Sequence, residues 1–219
     1  MKSVYFLSVI LVLASAHLGV DVSNCKNLDR SFFTCLAQRN VSKTILTIWD
    51  YNGIVNKINY LQSFIYSKNV KIQEFEAHVL LNDAFAPEEI CNGVATALPL
   101  TFNGTVWLEV LGLQMLWSLP IEQRISYVEK VVKACQNRGL ETGIYSQAVS
   151  WTRTMGSQVR GSDILRAVPL WYENVNDTQN FDDFKYARFG TWDFPTMKNY
   201  GETTGICGCY VSGLNYYEA

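Results

Sequence analysis

The chain has 219 residues, with 18 Lys and Arg against 20 Asp and Glu and two His, for a formal net charge of −2. Apolar residues make up 48% of it and aromatic residues 13%, which excludes a disordered chain and suffices for one domain with a substantial core. No block of Lys or Arg occurs, so nucleic-acid binding gains no support, and a weakly acidic protein has no long-range attraction to anionic bacterial envelopes.

At the N-terminus, Lys2 precedes an apolar run from Val4 to Val12 and then Ala14-Ser15-Ala16. That is the order of a cleavable signal peptide, so residues 1–16 are expected to be removed and residues 17–219 to form the secreted domain. The run is far below the roughly 20 residues that span a bilayer, and no later stretch reaches that length, so no membrane anchor is expected. Sequons at Asn40, Asn103 and Asn176 are candidate glycosylation sites.

Eight β-branched or apolar runs read as strands: Leu18 to Ser23, Lys43 to Trp49, Val70 to Glu76, Thr105 to Val110, Leu140 to Tyr145, Val168 to Glu173, Thr196 to Tyr200 and Tyr210 to Tyr216. Segments of helical length separate the first five. Ile54 to Lys68 carries Ile54, Ile58, Leu61 and Ile65 as one apolar stripe after the Asn52-Gly53 turn. After the fourth strand, Ser118 is placed to cap a helix with Pro120 in its first turn, an apolar face of Ile121, Ile125, Val128, Val132 and Cys135, and Gly139 as its stop. Alternating strand and helix implies parallel strands, and eight of them suggest a closed barrel, irregular after the fifth strand. With no repeat, linker or composition shift, a single domain is expected.

The six cysteines, Cys25, Cys35, Cys91, Cys135, Cys207 and Cys209, form an even set that favours disulfides in an oxidising compartment, with a pairing that spacing does not reveal. No CxxC pair or clustered His accompanies them, so no metal site and no cofactor are expected. His17 lies near the new N-terminus and His78 is assigned to a loop, which argues against His-based catalysis.

A parallel barrel carries its site at the carboxyl ends of its strands. Asp21, Asp50, Glu74, Glu76, Glu109 and Glu173 fall there, as do Trp49, Tyr51, Trp107, Trp171, Tyr172 and Trp192. Paired carboxyls perform acid-base work on glycosidic bonds and rings stack on sugar faces, so Tyr51, Glu76, Trp107, Trp171 and Tyr172 are candidate substrate contacts.

The segments GVDVS (19–23), VWLEV (106–110), GIYSQAVSW (143–151), VPLWYE (168–173), FPTMKNYG (194–201) and LNYY (214–217) follow one another as in lysozymes of glycoside hydrolase family 25. The likeness is greatest to the short nematode and amoebozoan lysozyme-like branch and covers nearly the whole mature chain. This resemblance implies an α/β fold, an irregular TIM-like (β/α)5(β)3 barrel, and cleavage of the β-1,4 bond between N-acetylmuramic acid and N-acetylglucosamine in peptidoglycan. It implies active-site acids in the first strand, as a DxE pair in the fourth, and in the last strand. Placed on this chain, the first is Asp21 and the DxE Asp is Glu109, while the proton-donating Glu falls on Leu111 and the last Asp on Gly213 or Ser212.

Residues two apart on a strand share a face, so Glu109 and Leu111 are expected to point together into the cleft, where Leu111 has no proton to give. General acid catalysis typically contributes about 10² to 10⁴ in rate. The resemblance with these replacements implies a secreted, monomeric lysozyme-like protein of innate defence or digestion. It would bind peptidoglycan or another N-acetylated glycan with weak or lost muramidase activity. Two rivals remain: a glycosidase using Asp21 with Glu109 or a relocated carboxylate such as Glu76, and a secreted protein-interaction module without glycan binding.

Overall fold

A computed structural model describes residues 17–53, 57–201, 204–211 and 213–217. The expected leader, Ile54 and Ser212 lie outside the described residues. The elements are β1 (His17–Asp21), α1 (Arg30–Gln38), β2 (Val41–Trp49), α2 (Lys57–Asn69), β3 (Glu74–Leu80), α3 (Pro87–Ala97), β4 (Val106–Glu109), α4 (Ile121–Gln136), β5 (Thr142–Ser146), α5 (Ala148–Met155), a short α6 (Asp163–Arg166), β6 (Leu170–Glu173), β7 (Met197–Gly201), β8 (Thr204–Ile206), β9 (Cys209–Val211) and β10 (Gly213–Tyr217).

Eight strands close a barrel in the order β1-β10-β7-β6-β5-β4-β3-β2. β1 to β7 pair in parallel with their barrel neighbours, whereas β10 runs antiparallel to both β1 and β7. Helices follow each of the first five strands, and the last three strands are joined by irregular segments and the β8–β9 hairpin. This is the expected irregular (β/α)5(β)3 barrel.

Four local expectations are corrected. The third strand starts at Glu74 and runs through His78, not from Val70 to Glu76. Residues 70–72 instead close the end of α2, with Val70 N donating to Tyr66 O, Ile72 N to Ser67 O, and Lys71 at φ 66°. The last run is two strands, because Val211 ends the hairpin before β10 enters the barrel. On α2, the stripe of Ile58, Leu61 and Ile65 is exposed, and the buried face is Tyr60, Ser63, Phe64 and Ser67. The rings of Tyr60 and Phe64 pack edge-on against Phe75 of β3, and the two serines let the helix approach the barrel. Ser118 does not cap α4: its N–H and hydroxyl both donate to Asp83 Oδ1, and Pro120 holds the cap position.

Two apolar layers follow from strand alternation. One fills the space between barrel and helices and includes Trp49, Tyr172 and Trp192. The other, Ile45, Trp107, Tyr145, Trp171, Met197 and Tyr217, fills the barrel. Trp171 stacks on Tyr145 at 3.8 Å between ring centroids and meets Trp107 edge-on. A Cβ at Gly143 would lie 2.4 Å from the Trp107 ring, so glycine there makes room for the indole. Beneath them, buried Lys43 pairs with Glu76 at 2.8 Å and Glu74 at 2.9 Å, and Trp107 Nε1 donates to Glu76 Oε2 at 2.5 Å.

All six cysteines are paired. Cys91–Cys135 ties α3 to α4, while Cys25–Cys209 and Cys35–Cys207 tie the β1–α1 region to the hairpin across 184 and 172 residues. Among the described residues no helix is long and apolar enough to cross a membrane.

Candidate active site

A cavity of about 620 Å³ opens at the carboxyl ends of the parallel strands, lined by Asp21 of β1, Thr47 of β2, His78 of β3, Glu109 of β4, Tyr145 of β5 and Glu173 of β6, with Asp50 and Tyr51 at the loop beyond β2. Parallel pairing brings these residues to one level: Leu80 lies beside Glu109 and Glu109 beside Tyr145.

The protons of this site can be assigned from its geometry. Asp21 Oδ1 accepts from Ser23 N at 2.9 Å and from Ser23 Oγ at 2.5 Å. Ser23 Oγ, its one proton committed, accepts from Thr47 Oγ1 at 2.9 Å. Thr47 Oγ1, its proton committed in turn, can only accept at its 3.2 Å contact with His78 Nδ1. His78 Nε2 stands 2.9 Å from Glu109 Oε2 in an ionic contact that also needs a proton on nitrogen. This arrangement favours the imidazolium form of His78, which stands directly against Glu109 and reaches Asp21 through Thr47 and Ser23.

The electrostatics agree. Burial alone would lower the His78 pKa, but Glu109, through its charge and contact, and Asp21 outweigh it, and the pKa is raised above 6.5. Burial raises the Asp21 carboxyl above its usual 3.8, against the opposing pull of His78 and Ser23. Across the pocket, Tyr145 hydroxyl donates to Glu173 Oε2 at 2.5 Å, and Asn199 Nδ2 donates to Tyr145 Oη at 3.2 Å and to Glu173 Oε2 at 3.4 Å. Burial, then the charges of Glu173 and Glu109, push the Tyr145 phenol well above 10, so it remains a donor.

The expected site residues separate into three groups. Asp21, Glu109 and Tyr51 line the cavity. Glu76, Trp107 and Trp171 lie inside the barrel below it, Glu76 already engaged by Lys43 and Trp107. Tyr172 faces outward, donating to Asp183 Oδ1 and packing edge-on against Phe184. Leu111 does not join Glu109 on the cavity wall as the two-residue spacing implied, because β4 ends at Glu109; beyond it the Leu111 carbonyl accepts from Trp117 Nε1 and Thr154 Oγ1. Gly213 pairs with Asp21, and the space beside it is taken by Asn199, whose side-chain oxygen would lie 2.5 Å from a Cβ at 213.

His78 is the principal functional residue that the loop assignment missed. Its signal was present in the alternation of apolar Phe75, Ala77, Val79 and Leu81 with polar Glu74, Glu76 and His78, which marks a strand with one polar face. Tyr145 ends the run Leu140 to Tyr145 and carried no separate signal of a functional role. No group of residues fit to hold a metal ion occurs among the described residues. A second groove of about 750 Å³, lined by Lys26, Asp29, Phe32 and Tyr210 beside the two hairpin disulfides, meets the first at Asn24.

A parallel-stranded barrel with carboxylates gathered at its carboxyl end has the layout of the barrel glycoside hydrolases. The chain belongs to the lysozyme-like proteins, residues 13–200 matching the family described as "Lysozyme-like protein 1". It is 30% identical to probable GH family 25 lysozyme 3 of Dictyostelium discoideum over 96% of this chain, which spans only 43% of that longer protein. It is 27% identical to probable GH family 25 lysozyme 5 of the same organism, over 98% of this chain and 96% of that one. A family GH25 lysozyme from Aspergillus fumigatus shares the fold, with a TM-score of 0.71 at 10% identity over 94% of this chain and 95% of that one.

Proposed function

We propose that this is a secreted lysozyme-like protein of defence or digestion that binds peptidoglycan or another N-acetylated glycan in the carboxylate pocket, with weak or lost muramidase turnover. The observation that carries this reading is at the two replaced acid positions. Leu111 offers no proton, and the room that an acid at Gly213 would need holds the Asn199 side chain. The carboxylates that remain are engaged by the protein itself, Asp21 by Ser23 and Glu109 by His78. Hydrolysis needs one carboxyl to protonate the leaving oxygen while a second acts on the opposite face of the sugar.

Three disulfides and the leader-like residues 1–16 support secretion. The relatives' names as lysozymes support a bacterial glycan as the target. Asn40 and Asn103 are exposed and suited to carry glycans. At Asn176, Oδ1 accepts from Lys198 Nζ at 2.9 Å and Nδ2 donates to Asp183, so a glycan there would compete with an ordered contact.

The enzymatic rival is favoured by one observation: buried Asp21, its carboxyl raised by desolvation, is a candidate acid beside Glu109. A clearing assay on bacterial cell walls separates the readings. Retention on insoluble peptidoglycan without clearing is the expected result. Robust clearing that Asp21→Asn and Glu109→Gln abolish overturns the reading of lost turnover. Failure to bind peptidoglycan or chitin favours a protein-interaction module.

A further inference from the structure

Around the inner pocket the hydroxyl and imidazole donors are engaged, while Tyr51 at the exposed rim keeps its hydroxyl. The hydroxyl protons of Ser23, Thr47 and Tyr145 go to Asp21, Ser23 and Glu173, and both His78 N–H groups face Thr47 and Glu109. Asp21, Glu109 and Glu173 each use one carboxylate oxygen in these contacts, and the other oxygen of each has no partner among the described residues. Asp50 also lines the pocket, and no Lys or Arg occurs among the described lining residues, so Asp21, Glu109 and Glu173 outnumber the one cationic candidate, His78. A separate observation points the same way. Asn199 is 4% exposed, and its Oδ1 accepts nothing among the described residues while its Nδ2 bonds to the pocket groups Tyr145 and Glu173. A buried acceptor left without a donor is costly unless a ligand or water supplies one.

We propose that the sugar unit seated over Asp21, Glu109 and Glu173 is a glucosamine that has lost its acetyl group and carries a free ammonium. This rests on the glycan-binding reading and narrows it to partly N-deacetylated chains. An ammonium presents three donors and no acceptor, matching three carboxylate oxygens that lack partners. An acetamide brings a carbonyl that needs a donor, and the hydroxyl and imidazole donors beside Asp21, Glu109 and Glu173 are already engaged. A lactyl carboxylate in the same place would meet like charge. The long groove meeting the pocket at Asn24 gives the rest of the chain a path.

The test measures the binding of chitosan and chitin oligosaccharides of matched length to the whole mature protein at about pH 5.5, more than two units below an ordinary α-amino group. The expected result is about tenfold tighter binding of the deacetylated oligosaccharide, weakened at about 0.5 M salt and reduced severalfold by Glu173→Gln, which keeps an acceptor for Tyr145. Partial chemical deacetylation of peptidoglycan should increase its retention, a comparison that needs no variant. Equal binding of the two oligosaccharides overturns the inference and leaves glycan binding intact, as does a preference that Glu173→Gln leaves unchanged. Competition by lysine-containing stem peptide as strong as by chitosan overturns it in favour of a peptide amine. Binding of neither oligosaccharide nor either form of peptidoglycan overturns the parent reading as well.

Discussion

Gly213 and Asn199 are neighbours across the β10–β7 seam, packed so closely that a Cβ on Gly213 would lie 2.5 Å from the Asn199 side-chain oxygen. Restoring the family acid at 213 therefore takes more than one substitution. Gly213→Asp alone should destabilise the protein by about 1–3 kcal/mol, the usual range for overpacking, read as a lowered midpoint in denaturant. Adding Asn199→Ala should recover part of that loss. With Leu111→Glu as well, cell-wall clearing should rise; a triple variant that folds and clears no better than the parent would count against the assignment of these positions.

His78 should give the protein a stability that falls as pH rises. Its folded pKa lies above its ordinary 6.5, so its contribution is fully present below 6.5 and is lost as pH rises through the folded value. Urea titrations from about pH 5 to pH 9 should show this decline, and His78→Gln should flatten it.

Glu109 is the larger charge holding the His78 proton, ahead of Asp21. Glu109→Gln should lower the His78 pKa more than Asp21→Asn does, measured by NMR titration of the imidazole. The chain has only two histidines, which makes the assignment direct. The reverse order of effects would refute the contact as the dominant cause.

Lys43 and Glu76 are both buried inside the barrel. Lys43→Met should cost about 3–5 kcal/mol by leaving the carboxylate without its cation. Lys43→Met with Glu76→Gln should cost less, because a glutamine can still accept from Trp107. Equal losses in the two variants would show that packing, not charge, dominates there.

The two hairpin disulfides join segments more than 170 residues apart. Replacing Cys25 and Cys209 with Ser should cost about 2–5 kcal/mol, read by thermal or denaturant unfolding. The loss should be accompanied by faster proteolysis at the β8–β9 hairpin.

The strand count, the alternation with helices and the switch to irregular connections were legible because each is written in short stretches of local pattern. Apolar content alone misled where two faces compete. On α2, Ile58, Leu61 and Ile65 have the right spacing, but Tyr60 and Phe64 bury larger rings against Phe75 and win the inward face. At β3, Val70 and Ile72 look like strand residues, yet the end of α2 claims their backbone hydrogen bonds. The six aromatic residues at strand ends looked alike in sequence. Alternation sends Trp49 and Tyr172 outward and Trp107 and Trp171 into the barrel, the segment before β7 packs Trp192 into the outer layer, and of the six only Tyr51, in the loop after β2, reaches the pocket.

The sequence by itself determined an α/β barrel of the lysozyme-like kind, and the family resemblance pointed to Leu111 and to Gly213 or Ser212 as positions of replaced acids, since these depend on motif order and residue chemistry along the chain. Only the tertiary structure decided which cysteines pair, that His78 stands against Glu109 and is linked to Asp21 through Thr47 and Ser23, and that Asn199 fills the space beside Gly213. Those are contacts between different elements. Their existence depends on barrel register, which sets residues tens to hundreds of positions apart at hydrogen-bonding distance and has no local signature.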